Sequence, residues 1–138
     1  MRPTPTSILV LLVCATLAAQ SASGQVAIPP APEELGELAR NVMGAAPAME
    51  DLLLRARELD SLIAEAPGPA AGVLYGAMRH FLIGYAALGN GDRDEADRRF
   101  TLAIEGAERA NDLQPSSEGY RVLADAHNQL LDIRSASY

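Results

Sequence analysis

Residues 83–103, IGYAALGNGDRDEADRRFTLA, decide how this chain reads. Small and apolar residues recur at helical spacing up to Leu88, the triplet Gly89-Asn90-Gly91 interrupts them, and the spacing resumes at Ala96, Phe100 and Ala103. Glycine and asparagine tolerate positive φ at a helix C-terminus, and Asp92 with Glu95 three residues on is an Asp variant of the capping box. The stretch therefore predicts two antiparallel helices joined by a tight turn. A similar opening returns at Tyr120, Leu123, Ala124 and His127. Recurrence of one hairpin unit predicts a helical repeat, an architecture that works by presenting a surface to a partner.

Working outward, Val73, Leu74, Ala77, Met78, Phe81, Leu82, Tyr85 and Leu88 form so wide an apolar band that a helix over about 70–88 must be largely buried at the centre of the fold. The following helix, about 93–112, offers Ala96, Phe100, Ala103, Ile104, Ala107 and Ala110 for burial. After Pro115, Ser116 can cap a last helix running to about Arg134, with Tyr120, Leu123, Ala124, His127, Leu130 and Leu131 as its packing face. Upstream, Glu33 and Glu34 directly after Pro32 suit a helix start, and this short helix reaches about Val42 before Gly44 and Pro47 end it. A second helix, about 49–66, carries a stripe of Leu52, Ala56, Leu59, Leu62, Ile63 and Ala66 and stops at Pro67-Gly68-Pro69. No stretch alternates with period two, so the fold class is all-α, with about five helices.

The residues at 77–110 resemble the tetratricopeptide pattern. Gly84 stands where that family's small residue lets two helices approach, and Ala96, Phe100 and Ala103 follow at spacings of 12, 4 and 3. Ile83 replaces the family's Leu, and His80 and Ala87 stand where large aromatics are usual. The second match, at Tyr120, Leu123, Ala124 and His127, lies 40 residues further on, longer than the family's repeat of about 34 residues. Any packed helical bundle shows apolar spacings of three and four, but the combined Gly-Ala-Phe-Ala spacing and the Gly91 turn favour the repeat. The resemblance implies a short α-solenoid of stacked antiparallel hairpins. It further implies a concave face lined by the first helix of each pair, which here carries Met78, Phe81 and Tyr85 and then Glu118, Arg121, Asp125 and Asn128.

The N-terminal 24 residues have a basic Arg2, an apolar run from Ile8 to Ala19 and a small-residue site at Ala22-Ser23-Gly24, the signature of a secretory signal peptide. The run is too short for a membrane anchor, which needs about 20 apolar residues. The single cysteine, Cys14, falls within this segment, so a mature chain of 114 residues carries no thiol. Residues 25–32, QVAIPPAP, contain three prolines and read as an extended leader into a domain over 33–138. The formal charge of −7 argues against nucleic acid and anionic membrane surfaces as partners. All 11 basic residues are Arg, which together with the abundant Ala hints at a GC-rich bacterial source.

Catalytic candidates are sparse. His80 and His127 fall on helices without a closely spaced metal-binding pair, Ser61, Ser116 and Ser117 lack a base, and the acidic cluster from Asp92 to Asp97 lacks calcium-loop spacing. The expectation is an exported, periplasmic or secreted, non-catalytic scaffold without metal or cofactor that binds a protein or peptide. Two rivals are a helical carrier of an apolar small molecule, and a subunit of an envelope assembly. In the second, the last helix would pair with a neighbour or form a homodimer through Val122, Ile133 and Tyr138.

Overall fold

The computed structural model describes residues 28–44 and 47–136. The expected signal segment 1–24 with Cys14, leader residues 25–27 and Tyr138 lie outside the described residues. The fold is all-α: α1 (Glu33–Gly44), α2 (Met49–Glu58), α3 (Asp60–Ala64), α4 (Gly68–Gly89), α5 (Arg93–Leu113) and α6 (Ser117–Ser135). Helices α2 and α3 correspond to the single helix expected over 49–66. They are separated only by Leu59, which keeps helical angles (φ −79°, ψ −11°) and is buried. Nothing in the local sequence explains the interruption.

Helix α4 is the centre of the fold because it is apolar on two faces. Ala71, Tyr75, Leu82, Ile83 and Ala86 pack with Leu35, Leu38 and Val42 of α1 and with Leu52 and Ala56 of α2. Leu74, Ala77 and Ala87 join Phe100, Ala103 and Ala107 of α5 and Val122, Ala126, Leu130 and Ile133 of α6 in a second cluster. Met78, Phe81 and Tyr85 touch both clusters.

The α4–α5 hairpin is the most extensively packed pair in the fold. Its closeness follows from small residues at the crossing: a β-carbon on Gly84 would stand 3.0 Å from the Phe100 ring, and one on Gly106 would stand 3.0 Å from the Ala77 β-carbon. Gly91 closes the turn with φ +81°, where a side chain would be strained. The Asp92 carboxylate accepts the Glu95 amide at 3.1 Å. The capping box is nevertheless only half formed. The Asp92 amide donates to the Ala87 carbonyl at 2.9 Å, and the Glu95 carboxylate turns away to Arg98 and Arg99.

The last helix requires a correction. Ser116 caps it as expected, its hydroxyl accepting the Gly119 amide at 3.0 Å. The buried face, however, is Gly119, Val122, Ala126, Leu130 and Ile133, turned by about one residue, or roughly 100°, from the expected one. Tyr120, Ala124, His127 and Leu131 are exposed, and Leu123 is half-buried. Val122 and Ile133, which the rival assembly reading offered as an association patch, are core residues. Helix α1 likewise packs mainly on α4 and little on α2, so the first two helices do not repeat the tight hairpin of α4 and α5.

Candidate functional site

Because α1 and α6 flank the same side of α4, they leave a groove of about 720 Å³ with α4 as its floor. Leu74, Tyr75, Met78, Phe81 and Leu82 form that floor. One wall is Leu35, Gly36, Ala39 and Met43 of α1, extended by Ile28-Pro29-Pro30-Ala31. The other wall is Glu118, Arg121, Val122 and Asp125 of α6. The rim is exposed on both sides, at Met43, Pro30 and Ala31 and at Glu118, Arg121 and Asp125, so the groove opens to solvent along its length.

Five of the seven residues expected to bind a partner meet here: Met78, Phe81, Glu118, Arg121 and Asp125. Tyr85 is half-buried and does not line the groove; its ring lies one turn along α4, 6.4 Å from that of Phe81. Asn128 is exposed one turn beyond Asp125 and does not line it either. Phe81 serves both purposes, since its ring also packs 5.4 Å from the fully buried Phe100.

Charge is confined to one wall. The Glu118 carboxyl is held below its ordinary range by its own backbone amide and by the Ser117 hydroxyl, so it is ionised at neutral pH. Among the described residues no hydrogen bond or ion pair holds Arg121 or Asp125. By contrast, the charges between α5 and α6 are already matched, with Arg134 donating to both Asp97 carboxylate oxygens at 3.0 and 3.1 Å.

Tyr75 and the Pro-rich segment are site residues that the sequence pattern did not single out. Tyr75 is 2% exposed, and its hydroxyl donates to the Pro29 carbonyl at 2.6 Å, with the Pro30 carbonyl at 3.2 Å. A signal was available: Tyr75 is an aromatic with a polar tip one position off the apolar band, and such tips seek a partner when buried.

The histidines lie away from this groove. His80 is half-buried, its Nδ1 is 3.1 Å from the Arg99 guanidinium, and desolvation with the charges of Arg99, Arg79 and Arg98 pushes its pKa down to about 4. At neutral pH the ring is therefore uncharged, with Nδ1 accepting from the Arg99 guanidinium and the proton on Nε2. His127, expected at a packing position, is exposed on α6. Among the described residues no three His, Cys, Asp or Glu side chains gather to hold a metal ion, and no helix is long and apolar enough to cross a membrane. Comparison with family models, curated proteins and solved structures finds no match to this chain.

Proposed function

We propose that this protein is a non-catalytic, tetratricopeptide-like scaffold of the cell envelope, and that its α1–α4–α6 groove holds an extended apolar segment of another protein or peptide. The observation that carries the reading is the pairing of an apolar floor with a charged rim on which neither Arg121 nor Asp125 is held by a hydrogen bond or ion pair among the described residues. Met78, Phe81 and Val122 supply burial, while Arg121 and Asp125 remain available to fix the direction of a bound segment. Apolar floor and polar rim are the two parts of a protein-binding surface. The acid-rich wall, within a chain of net charge −7, suits a neutral or basic segment.

A closed carrier of an apolar small molecule is the second reading, favoured by a volume within the usual range of about 300–1,000 Å³ for such sites. The exposed rim on both walls weighs against it.

The test is selection of displayed peptides on the purified protein, followed by titration against groove variants. Binders should lose tenfold or more in affinity with Met78→Asp, and should reverse their charge preference with Arg121→Glu. They should be indifferent to His127→Ala on the other flank of α6. Selected peptides that ignore both groove substitutions would refute this assignment.

A further inference from the structure

We propose that the groove reads proline-containing extended segments through the Tyr75 hydroxyl, and that the chain's own Ile28–Ala31 segment is its resident ligand, a strap that a partner segment displaces. The inference rests on the groove being a peptide site, and it names the chemistry of that peptide.

The strap is held as a ligand is held. Tyr75 is anchored in the middle of α4 and all but fully buried, and its donated proton goes to the carbonyl of Pro29, with the Pro30 carbonyl also within reach. Ile28 packs at the seam between the two apolar clusters, beside Met78 and Phe81 of the groove floor. Among the described residues, no other hydrogen bond ties residues 28–31 to the helices; the next is at Pro32, whose carbonyl already belongs to the start of α1. One hydroxyl and the packing of the half-buried Ile28 and Pro29 are thus the attachments of the strap, few enough for exchange, while Pro30 and Ala31 are exposed.

Proline follows from what the groove lacks. Three helices build it, and away from the C-terminal turn of α1 at Met43 their carbonyls are consumed within the helices, so the floor around Tyr75 offers a donor and no backbone acceptor. An ordinary extended chain laid there would bury amide groups without partners. A Pro-Pro pair has no amide hydrogens, and its polyproline-type backbone leaves the carbonyls free for Tyr75. When the strap leaves, the Tyr75 hydroxyl loses its acceptor, and an incoming carbonyl restores it. A basic residue beyond the prolines would meet Glu118 and Asp125 across the groove.

The experiment uses the full chain and a fluorescent peptide with the sequence of residues 25–32, QVAIPPAP, added in trans and followed by anisotropy. The wild-type chain should bind it weakly because its own strap competes. Ile28→Ser loosens the strap, and if the strap is closed nine-tenths of the time it should raise the affinity about tenfold. Adding Tyr75→Phe to that variant should cancel most of the gain while far-UV circular dichroism stays unchanged, and so should a peptide with alanine at its two central prolines. Equal affinity in wild type and Ile28→Ser, or indifference to Tyr75→Phe, overturns the inference. If selected helical or proline-free peptides still depend on Met78 in that case, the strap fails and the groove stands. If neither those nor the trans peptide respond to groove substitutions, both fail.

Discussion

The Phe100 ring occupies the space that a side chain on Gly84 would need: an added β-carbon would lie 3.0 Å from Phe100 Cε1 and 3.1 Å from Arg99 Cβ. Phe100 cannot retreat, because it is fully buried and packed against Phe81, which is itself part of the groove floor. The α4–α5 crossing and the floor of the groove are therefore one packing unit.

Two glycines of α4 should accordingly respond with opposite signs. Gly84→Val should destabilise by about 2 kcal/mol or more through overpacking. Gly76→Ala, where nothing lies within 4 Å of the added carbon, should stabilise by about 0.5–1 kcal/mol through helix propensity. Urea denaturation followed by circular dichroism reads both, and a stabilising Gly84→Val would contradict the close approach.

Acid should destabilise the protein in two overlapping windows. His80, with a folded pKa of about 4 against an ordinary 6.5, stays neutral in the fold while the unfolded chain takes up a proton. Stability therefore falls as pH drops from about 6.5 to 4, with a slope under about 1.4 kcal/mol per pH unit because solvent screens a half-buried group. Hydrogen bonds from Arg98, and then from Arg99, pull Glu95 down to about 2, so its contribution is present above about 4.5 and is lost as pH falls towards 2. Urea midpoints measured across pH should show both windows, and His80→Asn should flatten the upper one alone.

The turn between α5 and α6 depends on Asn111. Its side-chain oxygen accepts the Ser116 amide at 3.3 Å and lies against Gly119, where a β-carbon would displace it. Ser116→Ala should cost about 1 kcal/mol as a lost helix cap. Gly119→Ala should cost more, about 1–3 kcal/mol, because it forces the Asn111 side chain out of its place. Thermal melts of the two variants give the order, and the reverse order would show that Asn111 relocates freely.

The Arg134–Asp97 pair ties the end of α6 to α5 but lies in solvent, with the arginine side chain 60% exposed. Breaking it with Arg134→Ala should change stability little, and what loss there is should shrink at high salt. A double-mutant cycle with Asp97→Ala, run at low and high salt, measures this directly.

Most helix limits and turns were legible in the sequence because they are set by chemistry within a few residues: Pro67-Gly68-Pro69 from the N-cap into the first turn of α4, Gly91 and Asp92 between α4 and α5, and Ser116 before α6. The Gly84 approach was expected only through the resemblance of residues 77–110 to the tetratricopeptide pattern, since apolar spacing alone does not say where a partner helix crosses. Five groove residues could be named because the resemblance implied a face lined by the first helix of each pair, and those five residues line the groove.

The orientation of α6 was decided only by tertiary structure. Its sequence carries two apolar stripes that share Leu130, Gly119-Val122-Ala126-Leu130-Ile133 and Tyr120-Leu123-Ala124-His127-Leu130-Leu131, and periodicity alone does not choose between them. The α5 surface chose the first, whose smaller residues let the two helices come close, and left Tyr120 and Leu131 in solvent. The strap was decided in the same way: Pro29, Pro30 and Pro32 favour an extended backbone there, but only the folded position of Tyr75, 46 residues away from Pro29, determines where that backbone lies. Local sequence specifies elements and their ends, whereas which faces meet depends on surfaces that exist only once the helices have packed.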